Sequence, residues 1–150
     1  YKRQVLAEAL HRGDQFLLGV DLRKPVSILE AAYNDVAGVT AEFNLNILRH
    51  INREMNADFN LEEFSHFAFY NAAYHQIEMH LRSRREQKVW ISDLDLTVPF
   101  AEGETIHTEI SRKFDAGEIE EQLQQYGFVI QAEWTDPDSL FLLTLFRYGG

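Results

Sequence analysis

The change in residue pattern along the chain is the feature that most constrains its fold. Between residues 65 and 114, aromatic and β-branched residues are frequent and polar and apolar positions often alternate, which is typical of strands with one buried face. Short polar stretches separate several of these runs and favour antiparallel neighbours, because antiparallel strands need only a short connection. Segments with helical periodicity precede and follow this middle region. The pattern therefore predicts an α/β protein in which an α+β middle region is inserted between helix–strand segments.

The segments before residue 65 are predicted to be mainly helical. Residues 3–12 and 25–34 have the pattern of short helices, whereas FLLGV at residues 16–20 predicts a strand buried on both faces, as in a parallel sheet. The longest helix is predicted over residues 36–56, with Asp35 as its N-cap. Its expected apolar stripe consists of Val36, Val39, Phe43, Ile47, Ile51 and Met55.

The segments after residue 114 predict one helix and one hairpin. Asp115 and Glu118 favour a helix over about residues 116–126. Residues 128–134 and 140–148 then have the pattern of two strands joined by a turn that contains a proline. The two ends of the chain together therefore resemble the second half of an open α/β sheet.

Composition and charge exclude several classes of partner. The chain has 14 basic and 24 acidic residues and a formal net charge of −10, whereas a nucleic-acid-binding protein needs a basic face. No run approaches the roughly 18 apolar residues of a membrane span. Cysteine is absent, which excludes a disulfide framework and a thiolate metal site and fits a reducing compartment. We therefore expect a cytoplasmic protein without nucleic-acid or membrane partners.

Sequence motifs for metal, nucleotide and nucleophile chemistry are not found. His75 and His80 flank Glu78, but strand geometry would place His75 on the opposite face, and no H-E-x-x-H is present. We therefore predict no metal site. No G-x-S-x-G nucleophile elbow is present. None of the eight glycines forms a G-x-G-x-x-G or P-loop motif, so no segment of this sequence would cradle a nucleotide in the usual way.

The run GETIHTEISRKF at residues 103–114 is the strongest candidate for a binding surface. As a strand it would direct Thr105, His107, Glu109 and Ser111 to one face, because successive strand residues face opposite sides. A carboxylate and a hydroxyl about 6–7 Å apart along that face could hold a small ring that bears N–H groups. The same alternation also fits a face exposed to water, and by itself it does not choose between the two.

Several blocks of the sequence resemble one known family. AAYNDVAGVTAEFNLN at residues 31–46 is similar to the corresponding segment of histidine-specific, S-adenosylmethionine-dependent methyltransferases, a family that includes the histidine Nα-methyltransferases of ergothioneine biosynthesis. Further similar blocks follow in the family's order: LLGVDLRK (17–24), INREMNADFN (51–60), IEMHL (77–81), GETIHTEISRKF (103–114) and WTDPDSLF (134–141). The resemblance covers only the C-terminal half of such an enzyme, because the family's glycine-rich donor motif comes before these blocks.

The resemblance implies a fold and a domain organisation. Residues 1–23 and 114–150 would form the C-terminal part of a Rossmann-like class I methyltransferase sheet, and residues 24–113 would be an inserted α+β substrate-recognition domain. The strands at 15–20, 128–134 and 140–148 would be the last three of that sheet, with the final pair antiparallel.

The resemblance also implies an amino-acid pocket. The family's pocket tyrosine, its substrate-side methionine, and the strand glutamate and serine that hold the imidazole match Tyr33, Met79, Glu109 and Ser111. The parent enzyme would then transfer a methyl group from S-adenosylmethionine to the α-amine of histidine or a related amino acid, with the donor-binding residues outside this chain. The alternative is a non-catalytic module that binds an amino acid or another partner. A homodimer also remains open, because half a sheet exposes strand edges.

Overall fold

A computed structural model describes residues 9–149 of the 150-residue chain. The described elements are, in chain order, β1 (Gln15–Asp21), α1 (Val26–Tyr33), α2 (Val39–Met55), β2 (Phe64–Asn71), β3 (Gln76–Ser83), β4 (Gln87–Ile91), β5 (Leu96–Phe100), β6 (Thr105–Arg112), α3 (Ala116–Gln124), β7 (Phe128–Thr135) and β8 (Phe141–Tyr148). The helix predicted over 3–12 falls mostly on residues 1–8, which lie outside the described residues. The α/β class and the strand-rich middle are confirmed. No helix within residues 9–149 has the length and apolar character needed to span a membrane.

The chain divides into two compact units. The first unit comprises Tyr1–Lys24 and Arg112–Gly150, and the second comprises Pro25–Ser111. The boundaries expected for the inserted region, 24 and 113, lie one and two residues from those of the second unit. That the second unit recognises a substrate stays a prediction.

In the part of the chain that the structure describes, the first unit contains a three-stranded antiparallel sheet and the helix α3. Its strand order is β1-β8-β7, and β8 runs antiparallel to both neighbours. Helix α3 begins after Asp115, whose carboxylate accepts a hydrogen bond from the Glu118 N–H at 3.3 Å. The core of this unit combines the inner sheet face with two residues of α3: Val20, Ile119, Leu123, Phe128, Leu142 and Phe146.

The prediction that the strand FLLGV is buried on both faces is wrong within residues 9–149. Exposure alternates along β1, and Leu17 is 55% exposed. Within residues 9–149, β1 pairs only with β8, which is antiparallel to it. The physical reason is that α3 packs against a single face of this sheet, the face that carries Val20.

A charged cluster lies at the end of β1. Asp21 Oδ2 is 2.6 Å from the ammonium nitrogen of Lys113, whose side chain is 0% exposed, and Asp21 Oδ1 is 2.6 Å from that of Lys24. Burial raises the pKa of Asp21, but the hydrogen bonds from Lys113 and Lys24 outweigh it, and the pKa lies below its ordinary value of 3.8. Asp21 is therefore ionised at neutral pH and compensates the positive charge of the buried Lys113.

The second unit contains a three-stranded sheet, a hairpin and two helices. The sheet order is β2-β3-β6, and β4 pairs with β5 in the hairpin. Strands β2 and β3 are antiparallel, with Ala68 opposite Met79. Strand β6 runs antiparallel to β3, since the Ser83 N–H donates to the Glu104 carbonyl at 2.8 Å and the Thr108 hydroxyl donates to the Met79 carbonyl at 2.9 Å. These pairings confirm the antiparallel neighbours predicted for residues 65–114.

Both helices of the second unit pack against the same face of this sheet. That face carries Phe64 and Ala68 of β2 and Ile77, Met79 and Leu81 of β3, which join core clusters with Leu29 of α1 and Leu48 of α2. Because strand side chains alternate, Phe67, Phe69, Glu78 and His80 lie on the opposite face. We call this opposite face the ring face.

The long helix begins later, and buries a different stripe, than the sequence predicted. Gly38 adopts a left-handed conformation with φ of 73°, and α2 begins at Val39. The N-cap residue is Gly38 and not Asp35, so the predicted N-cap is wrong. The Asp35 carboxylate nevertheless accepts hydrogen bonds from the N–H groups of Val39 and Thr40, each at 2.9 Å. The predicted stripe is wrong in its first half, because Val36, Val39 and Phe43 are exposed. The fully buried positions of α2 are Asn44 and Leu48.

Candidate functional site

Tyr33 and Ser111 are joined by a short hydrogen bond although 78 positions separate them in the sequence. Tyr33 is the last residue of α1, and its hydroxyl donates to Ser111 Oγ at 2.6 Å. Ser111 lies near the end of β6, an outer strand of the three-stranded sheet. Both residues are partly buried. The second unit therefore brings two of the four predicted pocket residues into direct contact.

Met79 lies on β3, the central strand of the three-stranded sheet. It is 3% exposed and belongs to a small apolar cluster. The cluster consists of Leu29, Ala68, Ile77 and Met79, with Tyr33 and Tyr70 packed against it. Met79 and Tyr33 thus belong to one packing unit, in which the methionine forms part of the surface that supports the tyrosine ring.

A polar network fixes the position of Tyr33. The side chain of Asn34 donates to the Ala68 carbonyl at 3.0 Å and accepts from the Ala68 N–H at 3.2 Å, which attaches the end of α1 to β2. His66 Nε2 donates to the Tyr33 carbonyl at 2.8 Å, and the Asn44 amide donates to His66 Nδ1 at 3.0 Å. Because the carbonyl can only accept, the proton of His66 is on Nε2. The backbone of Tyr33 is therefore held from two sides.

The residues of this network were not identified from the sequence. Asn34 follows Tyr33 directly, but an asparagine after a helix is an ordinary cap and carries no specific signal. His66 and Asn44 are separated from Tyr33 by many positions, and only the packing of α2 on β2 brings them together. A polar residue among apolar neighbours, as Asn44 is in α2, was the one available indication.

Glu109 lies on β6, two residues before Ser111. It is exposed on β6, and it lines a shallow depression of about 250 Å³ together with His107, Thr108 and Ile110. Within residues 9–149, its carboxylate makes no side-chain hydrogen bond, so it is accessible to a ligand. Its place in a common pocket with Tyr33, Met79 and Ser111 stays a prediction.

A second group of polar side chains lies on the ring face. Glu78, His80 and His107 each direct one potential ligand atom into the same region, with all three atoms within 4.8 Å of one another. Burial lowers the pKa of His80 and outweighs the opposing effect of Glu78, so the ring is neutral at pH 7. Hydrogen bonds from Gln76 and Asn71 lower the pKa of Glu78, which is therefore ionised.

This group differs from the one that the sequence brought to attention. His75, considered with Glu78 and His80, instead makes a contact of 3.1 Å from its Nδ1 to the Tyr70 hydroxyl. The third member is His107, which lies 27 positions after His80 and becomes its neighbour only because β6 pairs with β3. No spacing rule along the chain could have identified it.

Comparison with known proteins identifies the class to which this chain belongs. Residues 3–148 match the family described as "Histidine-specific methyltransferase, SAM-dependent". The chain belongs to this family, which confirms the resemblance seen in the sequence blocks. The family description also names S-adenosylmethionine as the methyl donor of the class.

Two curated relatives are similar over most of this chain. "Histidine N-alpha-methyltransferase" of Mycolicibacterium smegmatis is 46% identical over 140 residues, which is 93% of this chain and 44% of the relative. The protein of the same name from Mycobacterium tuberculosis is 44% identical over 140 residues, again 93% of this chain and 44% of the relative. The chain thus spans less than half the length of these relatives, in agreement with a resemblance to one half of such an enzyme.

A solved structure is also similar. It is an S-adenosylmethionine-dependent methyltransferase from Clostridium acetobutylicum ATCC 824, with a TM-score of 0.45 and 13% sequence identity, over 99% of this chain and 50% of that chain.

Proposed function

We propose that this chain supplies the amino-acid-binding part of an S-adenosylmethionine-dependent N-methyltransferase that acts on the α-amine of histidine or a closely related amino acid. The observation that carries the proposal is the hydrogen bond between Tyr33 and Ser111 beside the Met79 cluster, in a chain that belongs to the histidine-specific methyltransferase family. In this proposal, the second unit is the substrate-recognition domain and the first unit is the C-terminal part of the methyltransferase sheet.

Each predicted residue has a distinct part in holding the substrate. Glu109, exposed on β6, accepts an N–H of the imidazole, and Ser111 provides a second hydrogen-bonding group for the ring. Tyr33 orients Ser111 through the 2.6 Å hydrogen bond and helps to place the amine. Met79 supports the tyrosine ring from the apolar side. A hydrogen bond to a charged group is worth about 1.5–3 kcal/mol, enough to select a substrate with a ring N–H.

Methyl transfer requires little from these side chains beyond positioning. The lone pair of the neutral α-amine attacks the sulfonium methyl carbon, the carbon–sulfur bond breaks with its electrons going to sulfur, and the methylated amine then loses its extra proton. The donor supplies an activated methyl group, so no covalent nucleophile on the protein is needed. The sequence has no glycine-rich donor loop, so we propose that this chain contributes the substrate side of the reaction.

The test uses the full-length parent protein, with histidine and S-adenosylmethionine, and mass spectrometry of the product. We expect histidine with one or more added methyl groups on the α-amine. Glu109→Ala should raise KM for histidine by about tenfold or more, the equivalent of losing one charged hydrogen bond. Glu102→Ala is the matched control, because Glu102 is an exposed glutamate in the turn before β6.

Two results would refute the proposal in different ways. If no aromatic amino acid is methylated by the parent, the chain does not serve this reaction. If Glu109→Ala leaves KM unchanged while histidine is still methylated, Glu109 does not hold the ring.

The non-catalytic alternative is tested on the 150-residue chain itself. Isothermal titration calorimetry with histidine, in the absence of a methyl donor, measures whether the second unit binds the amino acid alone. Micromolar binding by the chain, combined with a parent that transfers no methyl group, would favour a binding module over an enzyme part.

We also propose that the outer face of the first unit's sheet associates with another protein surface, in the isolated chain a second copy. Leu17, Trp134 and Phe141 are 55%, 51% and 48% exposed on β1, β7 and β8, and apolar surface of this kind favours association. Light scattering at several concentrations distinguishes a homodimer from a monomer, and a mass that stays monomeric at high concentration would contradict this part of the proposal.

A further inference from the structure

Three metal-ligating side chains converge on the ring face of the second unit. Glu78 and His80 are two residues apart on β3, and His107 on the neighbouring β6 stacks on His80 with ring centroids 4.6 Å apart. Residues at i and i+2 of one strand and their neighbour on the next form a triangle above the sheet, because paired strands are only about 4.8 Å apart. We propose that this triangle binds a divalent transition-metal ion of the zinc type.

The carboxylate of the triangle is held in a fixed orientation. Glu78 Oε1 accepts hydrogen bonds from the side-chain amides of Asn71 at 2.7 Å and Gln76 at 2.9 Å. The other oxygen, Oε2, is directed toward His80 and lies 3.5 Å from its Nε2. Hydrogen bonds that orient a ligand in this way are a general property of metal sites in proteins, because they reduce the motion of the coordinating atom.

His80 has ring nitrogens without ordinary partners. Among the described residues, neither nitrogen has a hydrogen-bond partner, although both atoms are buried. The 3.5 Å contact with Glu78 is within ion-pair distance but lacks hydrogen-bond geometry. The ring is enclosed by Phe67 and Phe69, with centroids 6.4 and 5.6 Å away. Buried polar atoms without partners are rare in folded proteins and need an explanation, which coordination of a metal ion by His80 would provide.

His107 is the ligand that must reorient on binding. Its ring is nearly parallel to that of His80, with an angle of 12° between the ring planes. Because a nitrogen lone pair lies in the plane of its ring, the lone pairs of the two rings lie in nearly parallel planes. Ligands of one ion must instead point to a common centre. Because His107 is exposed, its ring can turn about its side-chain torsions without displacing core residues.

The donor set defines the class of ion. Two imidazoles and one carboxylate favour zinc and its neighbours in the first transition series over magnesium and calcium, which prefer oxygen ligands. Water would fill the remaining positions. This site uses none of the residues proposed to hold the amino acid, although His107 lines the same depression as Glu109.

The experiment is a titration of the purified, untagged 150-residue chain with one metal ion at a time. Binding of Zn²⁺ is measured by calorimetry, and binding of Co²⁺ is measured by visible absorption. We expect saturable binding of one ion at this site. His107→Ala and Glu78→Gln should each weaken binding by at least about tenfold. His50→Ala is the matched control: His50 is an exposed histidine on α2 and its replacement should change the affinity by less than about twofold.

A second measurement locates the ion directly. In long-range proton–nitrogen spectra of the histidine rings, Zn²⁺ should shift the ring nitrogens of His80 and His107 and leave those of His66 unchanged. Circular dichroism tests whether each variant is folded. If Glu78→Gln does not fold, His107→Ala decides the outcome, because His107 is at the surface and its replacement should not disturb the core. Absence of saturable binding, or equal affinity of the native chain and folded His107→Ala, would overturn the proposal.

Discussion

Replacement of Asp21 by asparagine tests the energetic role of the buried lysine in the first unit. Lys113 has a side-chain exposure of 0%, and its ammonium nitrogen is 2.6 Å from Asp21. Asparagine has nearly the same shape as aspartate and can still accept one hydrogen bond, so the substitution removes mainly the negative charge. We expect the free energy of unfolding of the first unit to decrease.

The expected size follows from the geometry of the pair. Two unit charges 2.6 Å apart attract each other by about 6 kcal/mol at an effective dielectric constant of about 20. Much of this is offset by the cost of removing both groups from water, and loss of one partner from a fully buried pair destabilises by about 3–5 kcal/mol. Because the Asp21 side chain is 33% exposed, solvent screens part of the interaction. We therefore expect a loss of about 2–3 kcal/mol for Asp21→Asn.

The assay exploits the two tryptophans of the chain. Trp134 lies in the first unit and Trp90 in the second, so a Trp90→Phe background makes fluorescence report on the first unit alone. Urea denaturation of this background with and without Asp21→Asn gives the difference in free energy of unfolding. The matched control is Glu118→Gln, which removes the charge from the pair with Arg23 at 2.8 Å. Because Glu118 is 51% exposed, the control should lose at most about 1 kcal/mol.

The dependence on pH provides a further check. The folded-state pKa of Asp21 lies below the ordinary value of 3.8, so its contribution is fully present above that value and is lost as the pH falls through the folded-state pKa. The stability difference between Asp21→Asn and the background should stay constant from about pH 7 to pH 5 and become smaller below 3.8. Our reasoning is refuted if Asp21→Asn costs no more than Glu118→Gln, or if the difference increases on acidification.

Two further predictions concern the second unit and use Trp90 as reporter in a Trp134→Phe background. Phe64 is 1% exposed and contacts Phe100 edge to face, with ring centroids 5.4 Å apart. Phe64→Ala should therefore lower the free energy of unfolding of this unit by about 3–5 kcal/mol, because it removes buried apolar surface and leaves a cavity. A loss below about 1 kcal/mol in urea denaturation would contradict this packing. Asn34→Ala removes both hydrogen bonds to Ala68 and should cost about 1–3 kcal/mol. In the parent, Asn34→Ala should also raise KM for histidine, since Tyr33 loses its support, and an unchanged KM would show that the attachment is structural only.

The sequence predicted the kinds of elements well because their signals are local. Strand alternation and helix periodicity repeat every two and 3.6 residues, and they gave the right type of element for the described part of the chain. The N-cap role of Asp115 was also predictable, because a cap bonds to backbone groups within a few residues. The burial of α2 was predicted less well, since the exposed apolar residues Val39 and Phe43 follow the same periodicity as buried ones.

The candidate sites depend on contacts that only the tertiary structure creates. The resemblance to a family pointed to Tyr33 and Ser111 individually, but their hydrogen bond exists because α1 packs on the same sheet to which β6 adds a strand. His107 joins Glu78 and His80 for the same reason. The register between two strands is determined by the whole sheet and its core, and a shift of one residue would move every side chain to the opposite face. The sequence by itself therefore determined the elements and the family, whereas the pairing of distant strands decided which side chains meet.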